Sequence, residues 1–121
     1  MEAVAIELPF PPTINHYYRR NGAATFISEE GQMYRETVFG LLAEAGVQTF
    51  RGKVSLTLDL HPPDRRIRDI DNYQKPLLDA LEKGRAYNND NQVKRLLTIM
   101  HEPDGRGRVL VAISKLGKQR S

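Results

Sequence analysis

The sequence predicts a small α+β (mixed α/β) domain in which a mixed sheet packs against two helices, in the order β-α-β-α-β-β. Three observations support this fold class. Segments that alternate between apolar and polar residues are interspersed with segments of helical period. The length of 121 residues suits one hydrophobic core, so residues 1–121 are expected to form a single domain. Hydrophobic residues make up 40% and charged residues 27%, as in globular proteins.

The first half of the chain predicts one strand and one helix. Residues 3–8 alternate as a strand does, and the prolines that follow end it. Residues 13–27 are predicted to be an irregular connector. Ser28 has the position of an N-cap for a helix that ends near Gly46. The apolar stripe predicted to be buried consists of Met33, Thr37, Val38, Leu41, Leu42 and Ala45.

The second half predicts three strands and a second helix. Residues 53–61 alternate most clearly, and two prolines stop them. The helix is predicted within residues 72–83, closed by Gly84. Strands at 93–102 and 107–116 flank a turn, and residues 115–121 form a basic tail that is expected to fray.

Composition narrows the function classes. Eighteen basic residues outnumber fifteen acidic ones, for a net charge of +3, and twelve of the basic residues are arginine, which suits bidentate contacts with phosphate. There is no cysteine, which excludes disulfides and thiolate metal sites. The three histidines lack metal-ligand spacing. No apolar run is long enough for a membrane span and no signal peptide is evident, so a cytoplasmic protein without a membrane partner is expected.

The densest group of charged residues lies at positions 63–75. Asp69 and Asp71 are two residues apart, so both carboxylates point to one side if the backbone is extended. Their repulsion is relieved by a divalent cation such as Mg²⁺, which binds one or two carboxylates together with phosphate oxygens. Asp71 could instead be an N-cap, and Asp69 could pair with an arginine. The neighbouring cations, which either bind phosphate or form a solvated charged face, are Arg65, Arg66 and Arg68.

Three further residues carry candidate roles. Lys75 follows Asp71 by four residues and could steady a phosphate, or be an ordinary exposed helix lysine. Pro76 beside it predicts that the regular helix begins after Asp71 or bends. Asp90 lies in an asparagine-rich loop, where spacing alone favours a turn former. Asp79 lies among apolar helix residues and is expected to support the site from behind or to pair between helices.

Six short segments form a combined pattern that is more specific than any one of them. In chain order they are Leu8-Pro9-Phe10-Pro11-Pro12, Asn15-His16-Tyr17-Tyr18-Arg19, Ser28-Glu29-Glu30-Gly31-Gln32-Met33-Tyr34-Arg35, Pro63-Asp64-Arg65-Arg66 with Arg68-Asp69-Ile70-Asp71-Asn72 and Lys75, Asp79-Ala80-Leu81, and Asn89-Asp90-Asn91-Gln92-Val93. With these segments, the sequence resembles the RusA family of Holliday junction resolvases over most of its length.

The resemblance implies a site and a reaction. Asp69, Asp71 and Asp90 correspond to the metal-binding acidic triad of that family, and Lys75 to its essential lysine. Members are homodimers that cut four-way DNA junctions symmetrically with Mg²⁺ or Mn²⁺. The expected function is therefore Mg²⁺-dependent resolution of branched DNA, in recombination and repair. The candidate contacts to the DNA backbone are Arg19, Arg20, Arg65, Arg66 and Arg68.

Other functions remain open at the level of sequence. The main alternative is a non-catalytic nucleic-acid-binding module, in which the aspartates are structural. A second alternative is a Mg²⁺-dependent phosphohydrolase that acts on nucleotides, but such an enzyme has no use for the run of arginines at positions 65–68. A restriction-type nuclease core matches Pro63-Asp64 but lacks a convincing downstream acid-x-lysine on a strand. Tyr17 and Tyr18 are expected either to stack on unpaired bases or to pack against the sheet.

Overall fold

A computed structural model describes residues 3–117 of the chain. Within that range no helix has both the length and the apolar character needed to cross a membrane. In chain order the elements are β1 (Ala3–Pro9), α1 (Ile14–Tyr17), β2 (Tyr18–Asn21), β3 (Ala24–Ile27), α2 (Glu29–Glu44), β4 (Val54–His61), a 3₁₀ turn (Ile70–Tyr73), α3 (Gln74–Lys83), a second 3₁₀ turn (Asp90–Gln92), β5 (Val93–Met100) and β6 (Arg108–Lys115).

The main sheet has four strands in the order β1-β6-β4-β5. β6 runs antiparallel to both β1 and β4, whereas β4 and β5 are parallel. A parallel pair needs a crossover connection, and α3 supplies it. The predicted α+β class with a mixed sheet is thus confirmed. The strand predicted at residues 53–61 is β4, which lies between β6 and β5 in the sheet.

Helices cover one face of this sheet. Inward residues of β4, among them Leu56 and Leu58, are fully buried and share one core with Val38 of α2 and Leu77 of α3. The opposite face stays open among the described residues. Its larger apolar side chains, all partly exposed, are Leu97, Ile99 and Leu110.

The prediction of an irregular connector at residues 13–27 is wrong. This segment forms the short helix α1 and the hairpin β2–β3, in which Tyr18 pairs with Ile27 and Asn21 with Ala24. The two turn residues are Gly22 and Ala23, and Gly22 has φ +65°, a conformation that costs glycine little and that favours glycine at the first position of a tight hairpin turn. Each strand has only four residues, so the alternation that reveals longer strands is not visible.

The predicted N-cap of α2 is confirmed, but the predicted buried stripe is rotated. The Ser28 hydroxyl accepts a hydrogen bond from the Gly31 amide at 2.9 Å. Met33, expected inside, is 61% exposed, and Tyr34 is buried instead. The Tyr34 hydroxyl donates to the Pro9 carbonyl oxygen at 2.6 Å, which fixes the rotation of the helix. Tyr34 is therefore buried and Met33 exposed, because the Tyr34 hydroxyl has a hydrogen-bond acceptor within the core-facing side of the helix.

Proline and glycine explain the boundaries of α3. Pro76 lies in its first turn, where the missing N–H has no intrahelical partner to lose, so the predicted late start is confirmed. Gly84 ends the helix in a right-handed helical conformation, and the residue after it, Arg85, adopts the left-handed conformation with φ +76°. A Cβ at Gly84 would lie 3.0 Å from a methyl of Val38, so this glycine permits close approach of α2 and α3. Residues 118–121 of the tail that was predicted to fray lie outside the described residues.

Candidate active site

The loop after β4 is shaped by an arginine and an aspartate. Arg68 donates to the backbone oxygens of Asp64 and Arg66, and its guanidinium lies 2.9 Å from the Asp64 carboxylate. The Arg66 amide and the Arg68 side chain lower the pKa of Asp64. Arg68 also lies over the Phe10 ring, 5.5 Å from its centroid. The Arg68 side chain is only 11% exposed, so its contacts fix the loop.

The other two arginines of this loop are free to meet a ligand. The side chains of Arg65 and Arg66 are 86% and 79% exposed. Their ion pairs are long, 3.9 Å to Glu102 and 3.8 Å to Asp64, and exposed pairs of this kind contribute little. The loop therefore presents two loosely held guanidinium groups to solvent.

Asp69 and Asp71 follow directly, and neither of their structural alternatives is realised. Asp69 occupies the N-cap position of the first 3₁₀ turn, yet its side chain makes no capping bond. Across residues 3–117 neither carboxylate forms an ion pair, and nearby Arg68 pairs with Asp64 instead. The assumption of extended backbone through Asp71 is wrong, because residues 70–73 form the 3₁₀ turn. Both carboxylates are exposed on this turn.

Lys75 lies in the first turn of α3. Because the 3₁₀ turn precedes it, the α-helical spacing of four from Asp71 does not apply. Its ammonium lies 6.0 Å from the centroid of the Tyr18 ring, at the outer limit of a cation–π contact. Lys75 forms no ion pair within the described range and is exposed. The lysine therefore faces the hairpin with its charge uncompensated.

Asp90 begins the second 3₁₀ turn, and its neighbour is the residue that forms the turn. The Asn89 side chain accepts from the Asn91 amide at 2.9 Å and completes a capping box with Gln92. The Asp90 amide donates to Glu82 in the last turn of α3 at 2.8 Å. Its carboxylate is exposed and has no ion-pair partner among the described residues. Asp90 is thus held by its backbone, and its side chain is free.

The structure does not bring the three aspartates into one cluster. Among residues 3–117, no group of three or more His, Asp or Glu side chains is placed to hold a metal ion. Asp69 and Asp71 precede α3, whereas the Asp90 amide is bound by Glu82 in the last turn of that helix. Mg²⁺ needs only one or two carboxylates when phosphate oxygens complete its shell. The free carboxylates of Asp69 and Asp71 are the donor type that fits this ion.

A comparison of the chain with known proteins identifies its family. The family model for endodeoxyribonuclease RusA matches residues 9–114. The chain belongs to the RusA family.

Relatives from bacteria and a phage match nearly the whole chain. The crossover junction endodeoxyribonuclease RusA of Shigella sonnei (strain Ss046) is 37% identical over 120 residues, which cover 98% of this chain and 100% of the relative. The protein of that name in Escherichia coli (strain K12) is 36% identical with the same coverage. That of Enterobacteria phage 82 is 37% identical over 123 residues, again 98% and 100% of the two chains. The predicted resemblance is confirmed.

In this RusA-family chain, Asp79 pairs between helices. Its carboxylate lies 2.8 Å from Arg35 of α2 and accepts a hydrogen bond from the Tyr17 hydroxyl, with 2.5 Å between the two oxygens. Tyr17 is fully buried, and burial together with the Asp79 hydrogen bond raises its pKa. Its ring therefore cannot stack on a base. The ring of Tyr17 packs edge-on against Tyr18, with centroids 4.9 Å apart, so the network supports the residue that faces Lys75.

A cleft beside Lys75 was missed by sequence reasoning. It has a volume of about 620 Å³, and its lining includes Tyr18, Arg20 and Thr25 from one face of the β2–β3 hairpin. Arg19 also borders it, although strand alternation places Arg19 with Phe26 on the other face. The Asn21-Gly22 pair after an aromatic run was the available signal.

Proposed function

We propose that this protein is a Mg²⁺-dependent, structure-selective endonuclease that resolves four-way (Holliday) DNA junctions by paired symmetric nicks, in DNA recombination and repair. One observation carries the proposal. Asp69, Asp71, Lys75 and Asp90 are exposed and form no ion pair within residues 3–117, whereas the nearby carboxylates of Asp64 and Asp79 are closely paired with arginines. The names of its RusA relatives, crossover junction endodeoxyribonucleases, supply the substrate class.

The proposed chemistry divides between carboxylates and a lysine. Asp69 and Asp71 would hold Mg²⁺, with Mn²⁺ as a substitute, and Asp90 would complete the acidic set when DNA is bound. A metal ion held there would offset the negative charge of the scissile phosphate and would lower the pKa of a water molecule that attacks it. Lys75 places an uncompensated ammonium where it can stabilise charge that develops on the phosphoryl oxygens.

Cationic side chains on two surfaces would position the DNA. Arg65 and Arg66 are highly exposed on the loop after β4, and Arg19 and Arg20 are exposed on the hairpin. Phosphate contacts of this type fix position without reading sequence, so selectivity would come from the shape of the junction. We expect Arg68 to act indirectly, by holding the loop that presents its neighbours.

Paired nicks require two active sites, so we propose a homodimer. The uncovered face of the main sheet supports this, because Leu97 and Ile99 of β5 and Leu110 of β6, the strands on either side of β4, are partly exposed apolar residues on that face. A two-fold dimer would bury the same patch on both copies. Leu97→Glu is expected to convert dimer to monomer in sedimentation analysis. An unchanged sedimentation coefficient, with the fold intact, would exclude this face.

Action on chromosomal or phage DNA would place the protein in the cytoplasm, on the nucleoid. The RusA relatives include proteins of bacteria and of a phage.

A non-catalytic binding module is the second candidate, and one observation favours it. The described residues contain no group of three acidic or histidine side chains close enough to hold a metal ion. A protein that only recognises branched DNA would keep the exposed arginines and need no such group. The two candidates differ in whether the bound junction is cut.

A cleavage assay separates them. The purified protein is incubated with a labelled four-way junction or a matched linear duplex, in Mg²⁺, Mn²⁺ or EDTA. Symmetric paired nicks on the junction alone, only with metal, are the expected result. Binding of the junction without cleavage in either metal would favour the binding module.

Two variants assign the activity to the site. Asp69→Asn is expected to retain the fold and junction binding but to lose cleavage. Glu102→Gln is the matched control, because Glu102 is an exposed acid beside the same loop, and it should cut at the wild-type rate. If Asp69→Asn also cuts at the wild-type rate, the assignment of the metal site is wrong.

A further inference from the structure

The cleft beside Lys75 has the composition of a nucleotide-binding site. Its lining combines a half-buried aromatic ring, Tyr18, with the cations Arg20 and Lys75 and the amide of Asn15. No carboxylate is among the lining residues within the described range. At about 620 Å³ the cleft is in the range of pockets that hold drug-sized ligands, to which a nucleotide belongs.

We propose that this cleft binds one unstacked nucleotide of the DNA strand next to the cleaved phosphate, with its base on the Tyr18 ring and its phosphate near Lys75 and Arg20. The proposal rests on the proposed function, which brings branched DNA to Lys75. In an intact duplex both faces of each base are stacked, whereas a branch point offers bases that can leave the stack at lower cost. The cleft would therefore contribute to selection of junctions over duplex.

The aromatic surface is rigidly supported. Tyr18 packs against the edge of buried Tyr17, and the Tyr17 hydroxyl is bound by Asp79 and contacted by Arg35. Backbone pairing of Tyr18 with Ile27 fixes the other side of the residue. A ring held in this way loses little conformational freedom when a base stacks on it, which favours binding.

Charge supports the same ligand. The Lys75 ammonium lies 6.0 Å from the Tyr18 ring centroid, so a nucleotide whose phosphate contacts Lys75 can place its base on the ring. Arg20 shares the hairpin face of Tyr18 and Thr25 and extends the positive rim. Contacts between these cations and the DNA phosphates would give an affinity that decreases as the salt concentration rises. Stacking on the Tyr18 ring would add affinity for any of the four bases.

The absence of tryptophan from the chain allows a direct test. Tyr18→Trp introduces the sole tryptophan, and a base stacked on it should quench its fluorescence. Phe39→Trp is the control, since Phe39 is an exposed aromatic residue on α2 that does not line the cleft. Each variant is titrated with the four-way junction and, separately, with single-stranded pentathymidine, and binding is followed in parallel by the anisotropy of labelled DNA.

Quenching of Tyr18→Trp by both DNAs, without quenching of Phe39→Trp, is the expected result. In addition, Tyr18→Leu should weaken pentathymidine binding by roughly 5- to 100-fold, whereas Tyr18→Phe should keep it near wild type. If the junction binds but the emission of Tyr18→Trp is unchanged, the nucleotide site is refuted and the proposed function is untouched. If pentathymidine quenches but the junction does not bind, the proposed function fails and the nucleotide site stands.

Discussion

Replacing Tyr17 with phenylalanine isolates one hydrogen bond that links three elements. The Tyr17 hydroxyl at the end of α1 donates to Asp79 of α3 at 2.5 Å and lies 3.3 Å from Arg35 of α2. Tyr17 is fully buried, and Asp79 and Arg35 are mostly buried, so water screens this group of contacts weakly. Tyr17→Phe removes the hydroxyl and leaves the ring in place.

The expected cost follows from the charge of the acceptor. A hydrogen bond to a charged group contributes about 1.5–3 kcal/mol. Asp79 keeps Arg35 at 2.8 Å in the variant, so the expected loss in the free energy of unfolding is about 2 kcal/mol. With an unfolding entropy of about 0.25 kcal/mol/K for a chain of this length, Tm should fall by roughly 8 °C. Urea titration followed by circular dichroism measures the free energy, and calorimetry measures Tm.

Tyr87→Phe is the matched comparison, because Tyr87 is equally buried but donates to a neutral acceptor, the Leu78 carbonyl oxygen, at 2.7 Å. It should cost about 1 kcal/mol, roughly half as much. A Tyr17→Phe loss below about 0.5 kcal/mol, or one no larger than that of Tyr87→Phe, would refute the stabilising role assigned to the charged acceptor.

Three further predictions concern stability. Gly31→Ala should lower the free energy of unfolding by at least about 1 kcal/mol in urea titration, because a Cβ there would collide with the Tyr17 carbonyl oxygen. Gly40→Ala, on the open side of α2, should raise the free energy of unfolding by up to about 1 kcal/mol. Equal effects of the two variants would contradict the packing argument. Arg85→Gly should raise stability by about 1 kcal/mol, because it relieves a left-handed residue, and a loss would contradict this. Burial raises three tyrosine pKa values above the unfolded value near 10, so the folded state binds their protons more tightly than the unfolded chain does. The free energy of unfolding should therefore be unaffected by these tyrosines below about pH 10 and fall above it, by about 1.4 kcal/mol per pH unit for each fully titrating tyrosine. Urea titrations at alkaline pH should show this slope, and a flat profile to about pH 11 would contradict it. The three are Tyr17, Tyr34 and Tyr87.

Most of the main sheet could be predicted because its strands are long enough for their pattern to show. The eight residues of β4 alternate with buried leucines on one face, and the Ser28 N-cap marks the start of α2. The hairpin could not be found in the same way, since strands of four residues are too short to show a period of apolar residues. The rotation of α2 depends on Pro9, a partner that is distant in sequence from Tyr34.

The candidate site shows the same division between local and distant information. Sequence spacing identified Asp69 and Asp71 as a pair but left open whether a neighbouring arginine neutralises them, and the structure pairs Arg68 with Asp64 instead. Spacing could not show that Arg68 forms its ion pair with Asp64, because this contact depends on the conformation of the loop that joins the two residues. Nor could it show that Asn89 forms the turn and leaves the Asp90 carboxylate free.

The helix α3 connects the candidate site to the core. Its first turn carries Lys75, its middle carries Asp79, and its last turn holds the Asp90 backbone through Glu82. A change that moves α3 therefore shifts Lys75 and Asp90 together. Because Asp79 is bound to Tyr17, the same change also moves the ring that supports Tyr18. Variants of the Tyr17–Asp79 contact should consequently weaken DNA cleavage as well as the fold, although neither residue is exposed enough to meet the substrate.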